Sequence, residues 1–134
     1  MFSLQEIRRA HEVVLGALRP TPALNWPLLD ERLGGEAVVK HENHLPTGAF
    51  KVRGGLTYVD ALTKRDPAVR GIISATRGNH GQSLAFAGRR AGLQVTIVVP
   101  QGNSTEKNAA MRALGAELIE FGRDFQAADR KSVV

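Results

Sequence analysis

The sequence predicts an α/β protein with a parallel sheet, and three observations carry that expectation. Ile72-Ile73-Ser74-Ala75, Val95-Thr96-Ile97-Val98-Val99 and Glu117-Leu118-Ile119-Glu120-Phe121 are short, mostly apolar runs of strand length. The stretches between them, residues 80–91 and 105–114, have helical periodicity and the length that a crossover between parallel strands requires. Gly92 and Gly115 stand where the C-caps of those two helices belong. Strand, helix and strand in that order make βαβ units, whose crossovers are right-handed in nearly all known cases.

Ahead of this regular region, Ser3-Leu4-Gln5-Glu6 has the Ser-x-x-Glu form of a capping box. Leu4, Ile7, Val14 and Leu18 then recur on one helical face until Pro20 and Pro22, so the first element is an amphipathic helix. From Pro20 to Gly35, prolines and a Gly-Gly pair mark an irregular connection with one helical turn near residues 29–33. Residues 37–40, Ala-Val-Val-Lys, read as a short strand. After Pro46-Thr47-Gly48, the positions Val52, Leu56, Val59 and Leu62 keep a helical spacing up to Asp66-Pro67, which puts Lys51 in the first turn of a helix. The final segment, residues 124–134, starts as a helix and meets neither a capping signal nor a further strand. The chain is therefore expected to be cut rather than finished.

Composition removes several classes of function. The 134 residues suit one globular unit, and no apolar run approaches the ~20 residues needed to cross a bilayer. The N-terminus mixes acids and bases on a helical period and lacks the form of a secretion signal, so a cytoplasmic location is expected. With no Cys, disulfides, thiolate metal ligands and cysteine nucleophiles are excluded. Much of the basic excess, a net charge of +5, is spread as separated pairs such as Arg8-Arg9, Lys64-Arg65, Arg89-Arg90 and Arg130-Lys131. No basic stripe interleaved with aromatics results; a small anionic ligand suits this charge better than a nucleic acid.

Residues 74–81, Ser-Ala-Thr-Arg-Gly-Asn-His-Gly, follow the first strand of the regular region, where open parallel sheets bind ligands. Gly78 allows close approach of the backbone, and the free N–H groups of the following helix would meet a carboxylate or phosphate. The same residues also suit a plain strand-to-helix turn. The loop has neither the G-x-G-x-x-G nor the G-x-x-x-x-G-K-[ST] pattern, so a nicotinamide or ATP site is poorly supported. A lone Lys is ordinarily a solvated surface residue, but Lys51 follows Phe50 at a helix N-terminus. Dipole and partial burial there would disfavour the ammonium form, and imine formation requires a deprotonated amine. His41 and His44 flank Glu42 without the spacing of a zinc helix or a third ligand, so no metal is expected.

Residues 40–54, from Lys40 and Glu42 through Pro46-Thr47-Gly48-Ala49-Phe50-Lys51 to Arg53-Gly54, closely resemble the Lys-x-Glu-x-x-x-Pro-Thr-Gly-Ser-Phe-Lys-x-Arg-Gly signature of the threonine/serine dehydratase family. These are fold-type II pyridoxal-phosphate enzymes. Residues 74–80 resemble the family's Gly-Asn-His loop, and residues 92–100 and 107–122 resemble the stretches after it, so the resemblance covers nearly the whole chain. It implies three-layer, parallel βαβ units of the tryptophan synthase β-like fold, present here incompletely. Residues 1–50 would belong to a larger domain, residues 51–134 would form most of a smaller one, and the remainder of the larger domain would be absent.

The resemblance further implies pyridoxal 5'-phosphate held by Lys51 as a Schiff base, with Phe50 beside it and Asn79 hydrogen-bonded to the cofactor phenolate oxygen. Thr76, Arg77, Gly78, Asn79 and His80 would hold the substrate carboxylate through backbone groups and the Thr76 hydroxyl. Lys51, once released, would act as general base at Cα, and loss of a β-hydroxyl from threonine or serine would end in a 2-oxo acid and ammonia. Arg77 departs from the small residue usual before Gly78. Its fixed charge argues against a racemase acid/base, and it could pair with a second substrate carboxylate or simply face solvent. The family's phosphate-cradling loop and pyridine-nitrogen partner lie beyond Val134, so the chain alone is expected to be inactive, and the complete protein is expected to be a homo-oligomer. A non-catalytic α/β remnant is the competing reading.

Overall fold

The computed structural model describes residues 2–132. Helix α1, Leu4–Leu15, opens on the capping box: the Ser3 hydroxyl accepts from the Glu6 N–H, and the Glu6 carboxylate accepts from the Ser3 N–H at 2.7 Å. Only part of its apolar stripe is used. Val14, and Leu18 beyond the helix, are buried with Leu45, Val52, Leu56 and Val59, whereas Leu4 and Ile7 are exposed. The cluster receives the C-terminal end of the helix and leaves the other end uncovered.

Strand β1, Ala23–Asn25, pairs antiparallel with β2, Val38–Lys40, and helix α2, Pro27–Leu33, lies between them in the chain. Strand β1 falls inside the stretch expected to be irregular. Three residues between prolines carry no alternation from which a strand could be read. A short 3-10 turn, Glu42–His44, then leads toward helix α3, Lys51–Arg65, which begins at the lysine itself.

The regular region follows the predicted order. Strands β3 (Gly71–Ala75), β4 (Gln94–Val99) and β5 (Glu117–Glu120) form a parallel sheet in the order β3-β4-β5, with Ile72 opposite Val95 and Val98 opposite Ile119. Helices α4, Asn79–Arg90, and α5, Thr105–Ala113, make the two crossovers, and α6, Phe125–Ser132, follows β5. Gly92 and Gly115 both take positive φ just after their helices. Val95, Ile97 and Val99 of β4 pack with Leu84 and Ala85 of α4 and Met111 of α5, while Val98 packs with Ala75 and Ala128. Burial on both faces is why the middle strand reads as an almost unbroken apolar run.

Candidate active site

Lys51 is exposed at the start of α3, its Nζ 5.8 Å from the centre of the Phe50 ring. The helix-terminal placement agrees with the sequence reading; the partial burial expected of Lys51 is not found. The reason is geometric: α3 and α4 border the amine on one side, and no other described element covers it. Between these helices lies a groove of about 380 Å³ lined by Phe50, Lys51, Gly55, Tyr58, His80 and Leu84 among others. Tyr58 and Leu84 were not singled out from the sequence. Tyr58 lies seven residues after Lys51, two helical turns along the same face, which was the available signal.

His80, in the first turn of α4, stands near Lys51. Partial desolvation of its ring, although the residue as a whole is exposed, and secondarily the charge of Lys51 hold its pKa below the ordinary 6.5, which favours the neutral imidazole at neutral pH. The loop before it has a definite hydrogen-bond pattern. The Thr76 N–H donates to the Val98 carbonyl at 3.0 Å, and the Gly78 N–H donates to Thr76 Oγ1 at 3.2 Å. Two of the loop's five amides are thus committed, while the Thr76 hydroxyl keeps its own proton to donate. Asn79 and His80 supply amides of the first helical turn, which have no intrahelical carbonyl to meet. Arg77 and Asn79 are exposed, and Gly78 is buried beneath Lys107, whose Cδ would lie 2.8 Å from a Cβ added there.

Beside Lys51 in the chain, Arg53 makes a forked pair of bonds to the carboxylate of Glu42, Nε to Oε2 at 2.6 Å and Nη2 to Oε1 at 2.9 Å. The hydroxyl of Thr21 donates to Oε1 at 2.7 Å, and the Lys40 ammonium donates to the Thr21 carbonyl at 3.2 Å. Hydrogen bonding from Arg53 is the chief cause that holds the Glu42 carboxyl at about 2, against an ordinary 4.5. A carboxyl depressed in the folded state contributes stability that is complete above about 4.5 and is lost as pH falls through about 2. Thermal melts of the protein should decline across that window, and the decline should be shallower in Glu42→Gln.

Among the described residues no group of three or more His, Asp or Glu side chains could hold a metal ion, and no helix is long and apolar enough to cross a membrane.

A parallel α/β sheet, a lysine at a helix N-terminus and a glycine-containing loop after the first strand define a class. The family model of pyridoxal-phosphate dependent enzymes matches residues 14–133, and the chain belongs to that family. The L-threonine ammonia-lyase of Thermotoga maritima is 34% identical over 128 residues, 96% of this chain and 32% of that protein. Human serine racemase is 34% identical over 123 residues, 88% of this chain and 35% of its own length. In the crystal structure of a pyridoxal 5'-phosphate-dependent aspartate racemase, 41% of that chain superposes on 98% of this one, with a TM-score of 0.91 and 30% identity. The chain thus spans about a third of these curated relatives, whose names divide between elimination and racemisation.

Proposed function

We propose that the protein is a pyridoxal-phosphate-dependent ammonia-lyase that converts L-threonine or L-serine to a 2-oxo acid and ammonia by β-elimination. The observation that carries the proposal is the placement on one groove of Lys51 and of His80, which stands in the first turn of α4, where the leading amides have no intrahelical partner. The residues present fit the cofactor at those two points. When bound, pyridoxal phosphate supplies an electron sink for the pair left at Cα. Lys51 would hold it through its Nζ, with Phe50 beside the ring and Asn79 on its phenolate oxygen. The substrate carboxylate would be held by the amides of Arg77, Asn79 and His80 and by the Thr76 hydroxyl, since the Thr76 and Gly78 amides are engaged elsewhere. Such a grip orients the Cα–H bond for removal by the Lys51 amine.

Under the same proposal, residues 1–50 and 51–134 belong to different domains, the location is cytoplasmic, and the complete protein is a homo-oligomer. Similarity does not separate the two reactions, since a threonine ammonia-lyase and a serine racemase are both 34% identical; elimination is favoured by Arg77, whose fixed charge suits no second acid/base. The test is product analysis with L-threonine and L-serine: formation of 2-oxo acid and ammonia supports the lyase, and inversion without ammonia overturns it.

A second reading is favoured by Arg77 alone. An exposed guanidinium beside the carboxylate loop suits a substrate with a second carboxylate, as in 3-hydroxyaspartate. In that case Arg77→Ala should lower the ratio of hydroxyaspartate to threonine turnover about tenfold, on the order of one charge-assisted hydrogen bond. An unchanged ratio would remove this reading and leave the first intact.

A further inference from the structure

Glu42 and Arg53 flank Lys51 in the sequence, yet neither has a part in the chemistry proposed for the groove. Arg53 lies two residues past Lys51 on α3 and borders the same groove, but its guanidinium is committed to Glu42 rather than to the groove. The two form a forked ion pair whose side chains are 29% and 22% exposed, and Glu42 in turn receives the hydroxyl of the buried Thr21. The pair joins the turn that ends the β1–β2 segment to the first turn of α3. It thereby closes residues 42–53 into a loop with Lys51 inside it.

Helix α3 gives a second, independent observation. Its N-cap is Phe50, which offers no side-chain acceptor to the first turn, and Phe50 is already in helical conformation. The end of α3 that carries Lys51 therefore lacks the usual device for fixing where a helix starts. Within the loop, the Gly48 N–H donates to the Leu45 carbonyl at 2.8 Å and the Thr47 hydroxyl to the Ala49 carbonyl at 3.2 Å; both are local contacts that leave the direction of α3 open. The forked pair supplies the missing restraint, because two parallel bonds fix orientation as well as distance.

We propose that the Thr21–Glu42–Arg53 cluster is a positioning device for Lys51: it substitutes for an N-cap on α3 and sets the direction in which the Lys51 amine enters the groove. The inference rests on the imine role given to Lys51 above. It makes Glu42 and Arg53 positioning residues, acting through Lys51: Glu42 does not line the groove, and the Arg53 guanidinium, which borders it, is spent on Glu42.

The test is borohydride trapping of the protein with pyridoxal phosphate, followed by peptide mapping, on the parent and on Arg53→Lys, Glu42→Gln and Thr21→Val. Arg53→Lys keeps the charge and loses the fork, and Thr21→Val, the mildest change, removes one donor to Glu42. Circular-dichroism melts establish that each variant is folded at the trapping temperature. The labelling rate at Lys51 should fall about ten- to a hundred-fold in Arg53→Lys and Glu42→Gln and less in Thr21→Val, the scale expected when a reacting group is misplaced by about 1 Å. The share of label on other lysines should rise correspondingly. Parent-like rates and shares at Lys51 in the folded variants would overturn the positioning role while leaving the imine intact. Scattered labelling in the parent itself would overturn both.

Discussion

Lys51→Ala abolishes the borohydride-stable label at residue 51 and lowers any lyase turnover by about 10⁴-fold or more. Two functions disappear together. No other described amine shares the groove formed by Phe50, Tyr58, His80 and Leu84, so the substitution removes the nucleophile and leaves nothing beside it to take its place. The general base at Cα goes with it, and proton transfer by a positioned group alone is worth about 10²–10⁴-fold. His80, a titratable neighbour in the same groove, has a lowered pKa that favours its neutral form near pH 7 and is held on α4, so it accepts a proton but forms no stable imine. Arg53 stays protonated. The fold should be indifferent, because Lys51 is exposed and Ala is the better helix former. A melt matching the parent, together with loss of the label, is the expected pair of results; a persistent stoichiometric label on another residue would sink the assignment.

The sheet was legible because β4 is covered on both faces, and such a strand cannot conceal its composition: Val95, Ile97, Val98 and Val99 are all buried. Lys51 could be located for a similar reason, since Val52, Leu56 and Val59 mark the buried side of α3 and thereby where the helix begins. What escaped depends on how separate elements meet. Leu4 and Ile7 obey the helical period as well as Val14 does, and periodicity holds no information about how far a partner helix reaches. The Glu42–Arg53 pair spans eleven positions and two elements, and its formation depends on the path of residues 45–50, which no periodicity encodes. The hydrogen bonding within the loop was not legible for a related reason: no motif states that the Thr76 N–H is tied to the adjacent strand β4 or that its side chain engages Gly78. Nor does any motif state that His80 stands near Lys51; that proximity follows from the closeness of α3 to α4.

That closeness sets the second large effect, which separates two adjacent glycines of α3. A Cβ at Gly55 would lie 2.6 Å from the Ser83 carbonyl oxygen and 2.9 Å from its carbonyl carbon, whereas one at Gly54 would meet nothing within 4 Å. The obstacle at Gly55 is backbone of α4, which no change of rotamer removes. Ser83 is itself fully buried, its hydroxyl donating to the His80 carbonyl at 2.8 Å, so a shift there is transmitted to His80. Gly55→Ala must therefore push α3 and α4 apart, at about 1–3 kcal/mol for overpacking. Gly54→Ala gains helix propensity in open space and should stabilise by about 0.5–1 kcal/mol. Denaturant melts of the two variants should shift in opposite directions. Because α3 carries Lys51 and α4 carries His80, the same separation widens the groove, so Gly55→Ala should also slow trapping at Lys51. Shifts of the same sign in the two melts would mean that the helices do not meet as closely at Gly55 as the glycine implies, and the proximity of Lys51 to His80 would lose its structural basis.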